Sequence, residues 1–158
     1  MKLFNLILLS STILLFSCGN SKETTEKKQS TDVVKREVPV AKLAILSQDI
    51  GKFRDSESYK IIAAKLDENI LQLDISYNGG CKEHEFELVG SAFIMESLPP
   101  KRGIQLYHHK NDDDCRELIN KRLFFDISDF SHDGKEIILN LQYYPEGIRY
   151  TKVIEKTE

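Results

Sequence analysis

The chain of 158 residues has no tryptophan, three cysteines, four histidines and four prolines. Without tryptophan it lacks the buried core residue that marks antibody-type immunoglobulin domains. Three cysteines are too few for a disulfide-dense scaffold. A domain of about 120 residues needs no such scaffold, because it buries nearly two-thirds of its unfolded surface. Gly79-Gly80 stands outside any GxGxxG or Walker pattern and reads as a turn, not a phosphate cradle. Ser91 and Ser97 lack the setting of a nucleophile elbow. Internal repeats are absent. Positive charge is also scarce: from Pro39 onward there are 16 Lys and Arg against 21 Asp and Glu, a net of −5. Nucleic acid selects basic faces, so it is not an expected partner. The charge reads as a solubility feature.

What is present starts with MKLFNLILLSSTILLFSCGN. Lys2 precedes an apolar run from Leu3 to Phe16. A stable spanning helix needs about 20 apolar residues, and this run is shorter. It reads as a targeting segment, set apart from fold reasoning. The tetrad Leu15-Phe16-Ser17-Cys18 resembles a bacterial lipoprotein signal, in which the cysteine is acylated and becomes the mature N-terminus. That resemblance implies a signal peptide at 1–17 and lipidation at Cys18, with the membrane as a partner through the lipid. Each buried methylene contributes about 0.8 kcal/mol, so several acyl chains hold a protein firmly. Gly19 follows the cysteine where Asp would mark inner-membrane retention, which makes the outer membrane the expected location. Ser21-Lys22-Glu23 resembles the charged surface-export tags of Bacteroidota lipoproteins. Residues 18–38 carry no aromatic and little to bury, which predicts a disordered tether. Residues 39–158 remain for one folded domain.

Alternation of apolar and polar residues favours strands in that domain. Leu71, Leu73, Ile75 and Tyr77 alternate with Gln72, Asp74 and Ser76, following Tyr59–Leu66 and a polar turn. His84, Phe86 and Leu88 share one face, opposite Glu83, Glu85 and Glu87. Ile104, Leu106 and His108 share another, opposite Gln105, Tyr107 and His109. Ile137, Leu139, Leu141 and Tyr143 alternate before Pro145-Glu146-Gly147, and Ile148–Ile154 returns as a hairpin. Short helices are expected only at Ser47–Ser58 and Cys115–Asn120. Seven short strands with turn signals predict an all-β fold, a small antiparallel sandwich resembling the immunoglobulin arrangement in strand number.

With Cys18 assigned to the lipid, Cys81 and Cys115 remain. They lie in Gly79-Gly80-Cys81-Lys82-Glu83-His84-Glu85-Phe86 and in His108-His109-Lys110-Asn111-Asp112-Asp113-Asp114-Cys115. With Phe125-Asp126-Ile127, these segments resemble an uncharacterised group of bacterial envelope proteins carrying GGCxxHxF, a later H…DxC and an FDI or FDL strand. The resemblance spans most of residues 75–130 and implies no activity. An oxidising compartment and an even count predict a Cys81–Cys115 disulfide. Closing a loop of that length constrains the unfolded chain by about 3–4 kcal/mol. The alternative is a metal centre. Cys81, His84, His108 and Cys115 make a Cys2His2 set that zinc accepts, and copper(I) also favours sulfur. With the disulfide formed, His84 and His108 become buried histidines that need hydrogen-bond partners.

Other clusters point to solvated surface. Asp112-Asp113-Asp114 lacks the glycine and closing glutamate of a calcium loop. Glu83, Glu85 and Glu87 repel one another along one strand face and do not make an acid/base pair. Tyr107, Tyr143, Tyr144 and Tyr150 offer material for an aromatic platform, but tyrosine is a common strand residue. The sequence therefore predicts a non-catalytic binding or structural domain, without an enzyme's nucleophile–base pair, acting on a protein or small-molecule ligand. The alternative is a zinc- or copper-binding lipoprotein.

Overall fold

The computed structural model describes residues 40–53 and 57–154. Cys18, the signal peptide and the tether lie outside them. The described part is a two-sheet β-sandwich of nine strands: β1 (Lys42–Leu43), β2 (Ile45–Ser47), β3 (Tyr59–Asp67), β4 (Ile70–Gly79), β5 (Glu85–Ser91), β6 (Lys101–His109), β7 (Glu117–Asp126), β8 (Ile137–Leu141) and β9 (Ile148–Tyr150). One sheet runs β1-β7-β4-β3 and the other β2-β5-β6-β8-β9.

The alternating runs form the centre of each sheet. β4 sits between β3 and β7, antiparallel to both. Its odd-numbered residues Leu71, Leu73 and Ile75 are fully buried. Burying each such side chain contributes about 1.5–3 kcal/mol. Phe86 and Leu88 of β5, Ile104 and Leu106 of β6, and Ile137 and Leu139 of β8 meet them from the other sheet in one core cluster. Period-two alternation makes this possible, since it places every second side chain on one face.

Three pairings are parallel: β1 with β7, β2 with β5, and β6 with β8. This distinguishes the sheets from the antiparallel pair of an immunoglobulin domain. The parallel edge arises because one short run, 42–47, is shared between sheets. Lys42–Leu43 pairs with β7, the chain turns at buried Ala44, and Ile45–Ser47 pairs with β5. Strands that switch sheets in this way make the corners of sandwiches.

Several local expectations are corrected. Cys115–Asn120 is not a helix: Glu117 begins β7, which pairs with β4 over ten positions. That ladder satisfies the backbone groups a helix would have used internally. Within Ser47–Ser58 the described residues hold only a 3-10 turn at Ile50–Lys52. This turn lies over the outer face of the second sheet, where the Tyr107 hydroxyl donates to the Ile50 carbonyl at 2.8 Å. Phe53 packs on the Tyr107 ring at 4.7 Å. Tyr107 is thus buried although it points away from the core, and burial raises its pKa. β8 stops at Leu141, and Tyr143 sits exposed in the following turn with φ 62°. The return strand β9 holds only three residues, Ile148–Tyr150.

One end of the sandwich is closed by Arg102. Its buried guanidinium donates to the carbonyls of Phe130 (3.2 Å) and Ser91, tying the β5 end to the loop after β7. The other end carries the cysteines and histidines.

Candidate functional site

The turn after β6 organises the site. Asn111 and Asp112 both adopt left-handed φ, 51° and 56°, and the Asp113 N–H donates to the Lys110 carbonyl at 3.0 Å. This is the geometry of a type I′ turn, which Asn and Asp tolerate. It separates the three consecutive aspartates. Asp112 and Asp114 face solvent, whereas Asp113 is turned inward and buried.

The Asp113 carboxylate accepts four N–H groups. Oδ2 takes the backbone N–H of Cys81 and of Lys82, each at 2.9 Å, and the ring Nε2–H of His84 at 3.1 Å. Oδ1 takes the Cys115 N–H at 2.8 Å. The last contact is an Asx-type bond two residues on. Backbone donors, Cys115 first and then Lys82, hold the Asp113 carboxyl well below the usual carboxylate range. Its charge is stabilised because hydrogen bonds to the ionised form favour that form.

Beside it the structure joins Cys81 to Cys115 in a disulfide, with Cα atoms 5.9 Å apart. The bond ties the segment after β4 to the segment before β7. His84 and His108 are also brought together. His84 Nδ1 lies 2.7 Å from His108 Nε2, and both residues are buried. His108 stands opposite Phe86 in the β5–β6 ladder and stacks on its ring at 4.5 Å. Tyr77 from the facing sheet contacts both imidazoles, at 4.7 and 4.9 Å between ring centres. Burial lowers the His108 pKa, and the neighbouring His84 lowers it further.

The four residues of the metal alternative are therefore neighbours, but not in a tetrahedral arrangement. Both sulfurs are spent in a covalent bond, and the two imidazoles address each other. Among the described residues, one group of potential ligand atoms, from Cys81, Asp113 and Cys115, falls within 4.8 Å. Its sulfurs are the bonded pair, and its carboxylate already accepts four donors.

Gly79 is a site residue that the sequence reading passed over as part of a turn. A Cβ there would lie 2.6 Å from His84 Cε1 and 2.7 Å from Nε2. Only glycine lets β4 run this close to the ring. Asp113 was likewise hidden in an acidic run. Its available signal was the D-x-C spacing, which places a carboxylate within reach of the N–H two residues on.

An open cleft of about 340 Å3 lies against this cluster, lined by Glu57, His108, Lys110, Asp114, Cys115 and Arg116. Lys110 bridges Glu57 at 3.7 Å and Asp114 at 3.4 Å across it. The remaining sequence candidates are dispersed. Glu83 and Glu85 face solvent, and Glu87 lies 3.9 Å from His109. The Ser91 hydroxyl accepts the Phe93 N–H, and the Ser97 hydroxyl donates to the Pro99 carbonyl. The tyrosines do not form a platform: Tyr107 and Tyr150 are buried, Tyr144 packs on the core and Tyr143 is exposed.

Fold and site together define a small two-sheet β domain whose conspicuous side chains are cross-linked to one another. No family model matches the chain, and no curated protein matches it. Among solved structures it is similar to a NigD-like immunity protein from Bacteroides caccae. Identity is 19% and the TM-score 0.50, covering 72% of this chain and 59% of that one. A toxin-related protein from Parabacteroides distasonis (15% identity, TM-score 0.46, 70% and 58% covered) also aligns. So does a protein of unknown function from Bacteroides vulgatus (14%, 0.43, 74% and 59%). The chain spans less than two-thirds of each. The first of these shows a shared β fold and nothing finer.

Proposed function

We propose that this chain is an outer-membrane lipoprotein, anchored through Cys18, whose β domain is a non-catalytic binding or structural module. The observation that carries the anchor is the Leu15-Phe16-Ser17-Cys18 tetrad directly after the apolar run. The non-catalytic reading is supported by the state of the cluster. Its carboxylate, imidazoles and sulfurs are engaged with one another. The ligand is a protein or a small molecule rather than nucleic acid, in keeping with the acidic balance of residues 39–158. An immunity role, as named for the Bacteroides caccae protein, is one specific form of a protein-binding module.

Radiolabelled palmitate tests the anchor. The wild-type chain expressed in a bacterial host is expected to incorporate label and fractionate with the outer membrane, and Cys18→Ser to do neither. Equal labelling of the variant overturns the proposal.

A further inference from the structure

We infer that Asp113, His84 and His108 form a pH-sensitive catch that holds the disulfide end of the sandwich closed and releases it on acidification. The argument is a proton count. A nitrogen–nitrogen separation of 2.7 Å between His84 Nδ1 and His108 Nε2 accommodates one hydrogen. Asp113 is an ionised carboxylate that already accepts three backbone N–H groups, so His84 Nε2 must carry a hydrogen to face it. The folded pair therefore exists either neutral or with one extra proton. A second extra proton would set N–H against N–H at 2.7 Å and break the bond.

The surroundings reinforce this limit. Tyr77 of β4 and Tyr59 of β3 present rings to the imidazoles, and Phe86 of β5 stacks on His108. The Ser58 and Glu57 backbone and then the Glu57 carboxylate, itself paired to Lys110, favour a charged His108, against burial and the neighbouring His84, which disfavour it more. Lys121 of β7 lies over the Phe86 ring at 5.6 Å. The Asp113 carboxylate meets the pair at His84, 3.1 Å from its Nε2.

The sign follows from linkage. Below the ordinary histidine range, near pH 6.5, the unfolded chain takes two protons at these residues and the closed form at most one. The form that binds more protons is favoured as pH falls, by up to tenfold per unit for one proton. Release would free the 80–84 and 110–115 segments, which Asp113 and the histidines pin, while the disulfide keeps them tethered. The cleft of Glu57, Lys110 and Arg116 would open with them.

Hydrogen exchange on the full-length protein in detergent tests the catch between pH 7.5 and 5, with intrinsic rates corrected. Protection of amides in 81–86 and 108–115 is expected to fall by up to tenfold per unit below about pH 6. The central strands β4 and β7 should change less. His108→Gln is expected to flatten this dependence. His109→Gln, which alters a partly exposed neighbour, is expected to leave it. Should His108→Gln fail to fold, a nitrogen-15 titration of the wild-type imidazoles decides. The folded pair should gain no more than one proton above pH 5. Two imidazolium rings with unchanged protection overturn the inference, as does pH-independent exchange in the wild type.

Discussion

Replacing both Cys81 and Cys115 by alanine removes a covalent tie across a sequence separation of 34 residues. In the chain-entropy account such a closure raises the free energy of the unfolded state by about 3.7 kcal/mol at 25 °C. The loop contains β5 and β6, the centre of the second sheet, so the constraint acts on strands that must find β8 and β2. The native structure gives a reason for the variant to stay folded. Asp113 joins the same two segments through the N–H groups of Cys81, Lys82 and Cys115, and those bonds do not involve sulfur. The variant is therefore expected to keep the wild-type fold with stability lower by about 3–4 kcal/mol. For a domain near 120 residues this corresponds to roughly 12–16 °C in Tm. Thermal melts and urea titrations followed by circular dichroism measure it. Adding Asp113→Asn to the double alanine variant should remove hydrogen-exchange protection at 81–86, which neither change alone should abolish. A loss below about 1 kcal/mol would refute the account in which the cross-link acts on the unfolded chain. Persistence of protection in the triple variant would refute the role given to Asp113.

Further outcomes follow from close packing and burial. Gly79→Ala places a methyl group within 2.7 Å of the His84 ring and is expected to cost about 1–3 kcal/mol, read from the urea midpoint. Combining it with His84→Ala should recover part of that loss, because the clashing ring is gone. Tyr150 is buried near Asp126 and Asp129, and its hydroxyl, which donates to Asn69, is pushed up to about 12 by burial first and those charges second. Its contribution to stability is present below pH 10 and is lost as pH rises from there through about 12, so an ultraviolet titration should show its ionisation among the late ones, with those of Tyr59, Tyr77 and Tyr107, which burial also raises. Replacement by Phe should remove that step.

The strands of the core were legible in the sequence because burial on one face imposes a period of two, as in Leu71–Ile75 and Ile137–Leu141. The inward placement of His84 and His108 followed from the same periodicity. Alternation carries no information about strand direction, so the parallel pairings of β2 with β5 and of β6 with β8 were invisible. It also does not say what lies above an outward residue. Tyr107 is buried by the 3-10 turn and its flank, a contact between distant segments. Tyr143 continued the strand pattern on paper, yet the chain leaves the ladder after Leu141.

The cluster divides in the same way. The sequence by itself determined that two cysteines, two inward histidines and an acidic turn lie close along the chain, because these are properties of local order and spacing. Only the tertiary structure decided how they meet. A type I′ turn rotates one aspartate of three inward, and a glycine on β4 leaves room for one imidazole. The opposed sheet then presses the two rings into a single hydrogen bond. Each of these depends on atoms brought together across the fold, where distances of a few tenths of an ångström select between a ligand set and a closed, self-satisfied network.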